Sequence, residues 1–127
     1  MRSQHTGLMR RAFAHEPVLV MEPDADLRAP GAAITVALCG HWDHKPPCPV
    51  APHHSHAHRA CDEVRVRILF AAEPDTEGAI RHRIELALSG GQLTGPDGVT
   101  TRWQLRGSQR SDIHTEEMDH AERLTRI

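Results

Sequence analysis

Residues 39–61, CGHWDHKPPCPVAPHHSHAHRAC, gather all three cysteines and six of the eleven histidines of the chain into one segment. Thiolate and imidazole are the donors that Zn²⁺ prefers, and Ni²⁺ and Cu²⁺ take them as well. Cys39-x-His41-x2-His44-x3-Cys48 offers four donors within a short stretch, and Cys61 closes the segment. Cys39, Cys48 and Cys61 with either His41 or His44 would complete a closed Cys₃His site of the structural kind. No C-x2-C pair accompanies them, so the segment matches no zinc-finger spacing and its ligand set stays open. A second group, His54, His56 and His58, falls on one side of the chain wherever that stretch is extended. Such a tract captures zinc, nickel or copper ions without needing a preformed cage.

Each residue also has an ordinary reading. Free cysteine is among the most buried residue types, and a lone surface histidine is usually only solvated. Asp43 could orient an imidazole as an outer carboxylate, but a loop Asp is most often a turn residue, and Trp42 reads as a loop anchor. The density of donors, rather than any one of them, points to metal. The rest of the chain is chemically quiet: it has no Gly-rich phosphate loop, no Gly-x-Ser-x-Gly elbow and no paired carboxylate motif. Zinc binding by a His/Cys-rich loop is therefore the leading expectation, with nickel or copper as alternatives. A non-enzymatic interaction module with an unmetallated loop, serving a protein partner or a homodimer, is the second reading. A metal enzyme is the third, because it requires an open coordination position and an oriented general base.

Composition narrows the remaining classes. The chain has 127 residues, 15 Lys+Arg against 17 Asp+Glu, a net charge of −2 and 39% apolar residues. Charges of both signs are interspersed, so no broad basic field exists for duplex nucleic acid or an anionic membrane. No apolar run approaches the length of a membrane span. The basic start of the chain, with Arg2, Arg10 and Arg11, lacks the apolar stretch of a secretory signal. Three cysteines cannot all pair within one chain, which fits a reducing cytoplasm. Lys45 is the single lysine among 15 basic residues, a usage typical of GC-rich bacterial genomes.

The elements that must position these donors come from periodicity. Val64, Val66, Ile68 and Phe70 alternate with Arg65, Arg67 and Leu69, predicting a half-buried strand over 63–71. Val99, Thr101, Trp103 and Leu105 alternate after the turn Gly95-Pro96-Asp97-Gly98, predicting another. Ile34, Val36 and Leu38 suggest a strand leading into Cys39, and Val18–Met21 a short one. Ile80, Ile84, Ala87 and Leu88 recur at helical spacing between Pro74-Asp75 and Ser89-Gly90-Gly91, predicting one amphipathic helix. Arg65, Arg67, Arg102 and Arg106 would line an open sheet face as a basic stripe. Four prolines forbid regular structure through the middle of the Cys/His segment. The expected fold is α+β: a small antiparallel or mixed sheet of three to four strands with one main helix packed on it, and a long Pro/His/Cys-rich loop between two strands. It places a flexible N-terminal tail at 1–15, a single domain at 16–107 with the loop at 39–61, and a polar tail or C-terminal helix at 108–127.

Overall fold

The computed structural model describes residues 10–39 and 51–126. His41, Trp42, Asp43, His44 and Cys48 lie outside the described residues. The elements run β1 (Arg11–Val20), α1 (Ala29–Cys39), β2 (His53–Ala60), β3 (Glu63–Ala72), α2 (Glu77–Ser89), β4 (Gln92–Thr94), β5 (Thr100–Arg102), β6 (Gln104–Ser111) and α3 (Met118–Thr125). Four strands form one antiparallel sheet in the order β2-β3-β1-β6, while β4 and β5 make a separate hairpin. Because β3 is inserted between β1 and β2, the β1-α1-β2 connection is a split β-α-β unit.

The fold is therefore α+β, as the alternation implied, but it has three helices in two layers. β3 sends Val64, Val66, Ile68 and Phe70 to one face, where they pack with Ala33, Ile34 and Leu38 of α1 and Ile80, Ile84 and Leu88 of α2. Its opposite face carries Leu69 and Ala71, which join Ala14 of β1 and Leu124 of α3 in a second, smaller core. Burying a Leu or Ile contributes about 1.5–3 kcal/mol, so the larger core dominates stability and the smaller one fixes α3.

Several sequence expectations need correction. Ile34, Val36 and Leu38 belong to helix α1 rather than to a strand. That segment is apolar almost throughout, so an alternating pattern and a helical one cannot be told apart in it. Pro30 sits in the first turn, where its missing N–H costs nothing, and Asp26 accepts a hydrogen bond from the Arg28 backbone N–H just upstream (2.9 Å). Gly31 lets α1 cross β2 closely: a Cβ at this position would stand 2.7 Å from the Ser55 Oγ.

The stretch 53–60 is strand β2, so the expected loop over 39–61 gives way to regular structure before Cys61. β1 begins at Arg11, seven residues ahead of the expected Val18, and takes in residues assigned to the N-terminal tail. Polar Arg11, His15 and Glu16 hide its period. Pro17 interrupts it too, because the pairing of β1 with β3 lapses at Glu16 and Pro17, where an N–H is missing, and resumes at Val18. The single strand expected over 99–105 is two: β5 pairs with β4, β6 pairs with β1, and Trp103 lies between them. The indole Nε1–H of Trp103 donates to the Leu88 carbonyl (2.8 Å), tying this junction to the C-terminal end of α2. Within the expected tail or helix at 108–127, β6 runs on to Ser111 and helix α3 begins only at Met118.

Candidate functional site: an imidazole cluster between strand β2 and helix α3

Among the described strands, β2 is an edge strand paired only with β3. Its alternation sorts the histidines. His53, Ser55, Ala57 and Arg59 point to the α1 side, opposite Phe70, Ile68, Val66 and Val64, and His53 bonds Thr35 Oγ1 (3.1 Å) and the Ala51 carbonyl (3.2 Å). His54, His56 and His58 share the other face, opposite Leu69, Arg67 and Arg65. On that face His54 and His56 share a pocket with His120 of α3.

What holds α3 there is a short apolar stripe and one charged anchor. Ala121 and Leu124 are buried (3% and 5% exposed), with Ile113 packed beside Leu124. The Arg67 guanidinium forms a bidentate pair with Glu117, Nε to Oε2 at 2.6 Å and Nη2 to Oε1 at 2.8 Å. It also donates to Ser111 Oγ (2.7 Å) and the Asp112 carbonyl (2.6 Å), and the Glu16 carboxylate lies 3.7 Å away. Glu117 Oε1 in turn accepts the backbone N–H of His114 (2.8 Å), closing the turn that leads into α3. The Arg67 hydrogen bonds hold the Glu117 carboxyl at a pKa of about 2. Arg67 is thus no member of an open basic stripe. Arg106 pairs with Glu63 (3.3 Å), and Arg102 lies in the other sheet.

With α3 seated, His120 meets His54 at 4.5 Å between ring centroids, the rings tilted by 48°. His54, His56, Arg67, Leu69, Glu116, Glu117 and His120 line a pocket of about 240 Å³. Burial first, then the neighbouring His120 and His56, push the His54 pKa below its ordinary value. The shift favours the neutral form, in which imidazole binds metal. Arg67 brings a positive charge to the pocket, but Glu117 and Glu16 offset it.

The other expected donors that fall within the described residues are placed apart. His58 is exposed farther along β2, beside Arg65. Cys61 is an exposed free thiol in the two-residue turn between β2 and β3, and Cys39 closes α1 on the opposite side of the sheet from His54. Among the described residues, no three His, Cys, Asp or Glu side chains already stand in metal-coordinating geometry. His120 and Glu116 escaped the sequence reading because α3, and with it the turn Thr115–Glu117 that leads into it, carries only a ragged apolar stripe.

A second polar group was also missed. His15, 5% exposed, lies in phase with Phe13, Pro17 and Leu19 on the α2 side of β1. Arginine only donates, so the His15 Nδ1 accepts from Arg81 (2.9 Å) and Nε2–H donates to Glu85 (2.8 Å). Glu85 also accepts from Ser108 Oγ, and Glu77 bridges Arg81 and Arg110, each at 2.7 Å. One face of α2, Glu77, Arg81 and Glu85, is thereby zipped to β1 and β6. The carboxylate lies between serine and imidazole, whereas activation of a serine nucleophile requires the imidazole in the middle. Its geometry is that of a structural network. A histidine in phase with apolar residues was the available signal, readable only once β1 is extended back to Arg11.

Comparison of the chain with protein-family models, with curated proteins and with solved structures gave no match. No helix among the described residues is long and apolar enough to cross a membrane.

Proposed function

We propose that the protein binds a divalent transition-metal ion, zinc first and nickel or copper next, through imidazoles on the outer face of its sheet. The observation that carries this reading is the approach of His120 to His54 at 4.5 Å in a pocket that also holds His56. His54 and His56 stand two residues apart on one face of a strand, and His120 comes from the helix above them. His54, His56 and His120 line one pocket and together offer the His₃ donor set that suits zinc and copper. Glu116 borders the same pocket and makes no hydrogen bond or ion pair among the described residues, whereas Glu117 is committed to Arg67. The donor set is thus three imidazoles with a carboxylate in reserve. Cys39, His41, His44 and Cys48 form a separate candidate set, tested by thiol counting before and after chelation.

Isothermal titration of the untagged, chelator-treated protein with Zn²⁺ tests the reading. We expect one equivalent to bind, and His54→Ala or His56→Ala to weaken binding at least tenfold, as loss of one of three ligands does. Unchanged affinity in both variants would place the ion elsewhere, and no binding would dismiss the reading.

A further inference from the structure

We infer that a metal ion in the His54–His56–His120 pocket clasps α3 to the sheet, so that docking of this helix and metal affinity are one coupled equilibrium. The inference rests on the metal reading above. It follows from where the donors sit. His54 and His56 belong to β2, which is fixed by its full pairing with β3 from His53 to Ala60. His120 belongs to α3 and Glu116 to the turn before it. An ion that holds both groups therefore bridges two elements that otherwise touch through few groups.

α3 has little else to secure it. It has eight residues, shorter than the about 12–15 at which an isolated helix becomes even marginal in water. Its buried side chains are Ala121 and Leu124 alone, and Met118 is 58% exposed. The Arg67–Glu117 pair anchors the turn at its start, leaving the stretch from His120 onward to the small apolar stripe. By contrast, α2 buries Ile80, Ile84 and Leu88 in the larger core and touches no pocket donor. Filling the pocket should therefore slow opening of α3 and leave α2 as it was.

Coupling of this kind is reciprocal: whatever factor the ion gives to helix docking, a change that loosens the helix must take from ion affinity. That separates the clasp from simple binding, because residues that never touch the ion should alter its affinity. Leu124 belongs to the small core, Ala121 is buried, and neither side chain can donate to a metal.

The test is hydrogen exchange of the full chain with and without one equivalent of Zn²⁺, together with zinc titration of Leu124→Ala and the milder Ala121→Gly, each checked for retained circular dichroism. We expect exchange over 118–125 to slow at least fivefold on adding zinc, with 77–89 unchanged, and both variants to bind zinc three- to tenfold more weakly. Zinc bound through His54 and His56 with unaltered exchange at 118–125, and wild-type affinity in both variants, would overturn the clasp and leave the metal reading intact. If the wild-type protein binds no zinc, both fall. Should Leu124→Ala unfold, Ala121→Gly and the exchange data decide alone.

Discussion

Replacing Glu117 by Gln should flatten the acid limb of the stability curve. In the folded protein the Glu117 carboxyl is held at about 2, against 4.5 for an unperturbed glutamate. At about 1.4 kcal/mol per pKa unit, this corresponds to about 3 kcal/mol in favour of the folded carboxylate. The Glu117 side chain is 19% exposed and Arg67 15%, and solvent screening brings the expected contribution down to about 2 kcal/mol. A depressed folded pKa contributes stability that is complete above the unfolded value and is lost as pH falls. The loss should therefore run from about pH 5 down toward 2. Glutamine keeps the size of the side chain but not its charge, so Arg67 is left with Glu16 at 3.7 Å, Ser111 and the Asp112 carbonyl. Urea unfolding at pH 7, 5, 4 and 3, followed by circular dichroism, reads the difference. With a slope of about 2 kcal/mol per molar urea, the wild-type midpoint should lie about 1 M above that of Glu117→Gln at pH 7, and the gap should close toward pH 2.5. A gap that stays constant with pH would refute the assignment of the acid limb to this pair.

Two further outcomes follow from the same structure. Cys61 holds a φ of +60°, a conformation that costs a side-chain-bearing residue about 1–2 kcal/mol and glycine almost nothing. Cys61→Gly should therefore raise stability by about 1 kcal/mol in urea unfolding, and a loss would mean that the thiol makes a contact worth more than the backbone strain. Glu85→Ala should leave the buried Nε2–H of His15 without its acceptor, costing about 2 kcal/mol and lowering the thermal midpoint by roughly 8 °C. A midpoint within a degree or two of wild type would show that water replaces the carboxylate.

The parts of the fold legible in the sequence were those with one buried face and one exposed. β3 alternates cleanly because its flanking positions are Arg65 and Arg67, and α2 shows its period because Arg81, His82, Arg83 and Glu85 separate Ile80, Ile84 and Leu88. α1 was illegible as a helix because it is apolar nearly all round, so its period carried no information. β1 failed for the opposite reason: its buried face includes His15 and Pro17, one satisfied by Arg81 and Glu85, the other tolerated where the ladder lapses. The histidine face of β2 was readable as a conditional, one side if extended, and the strand met the condition. Its partner His120 was not readable, because the meeting depends on Arg67 reaching Glu117 and on Leu124 finding Leu69, contacts between distant parts of the chain that no local pattern encodes.

The strand order has a consequence for synthesis on the ribosome. β1 is made before the other described strands, yet it occupies an interior position between β3 and β6. Until β6 emerges, one flank of β1 from Ala14 to Val20 has no partner, and Leu19 waits for Leu105 to cover it on that side. A nascent chain that has completed β2, β3 and α2 therefore carries an open seam in the middle of its future sheet, a site where a second nascent chain can pair in place of β6. Chains stalled or cleaved before Gln104 should accumulate as aggregates rather than as folded fragments, which makes the arrival of β6 the step that closes the sheet.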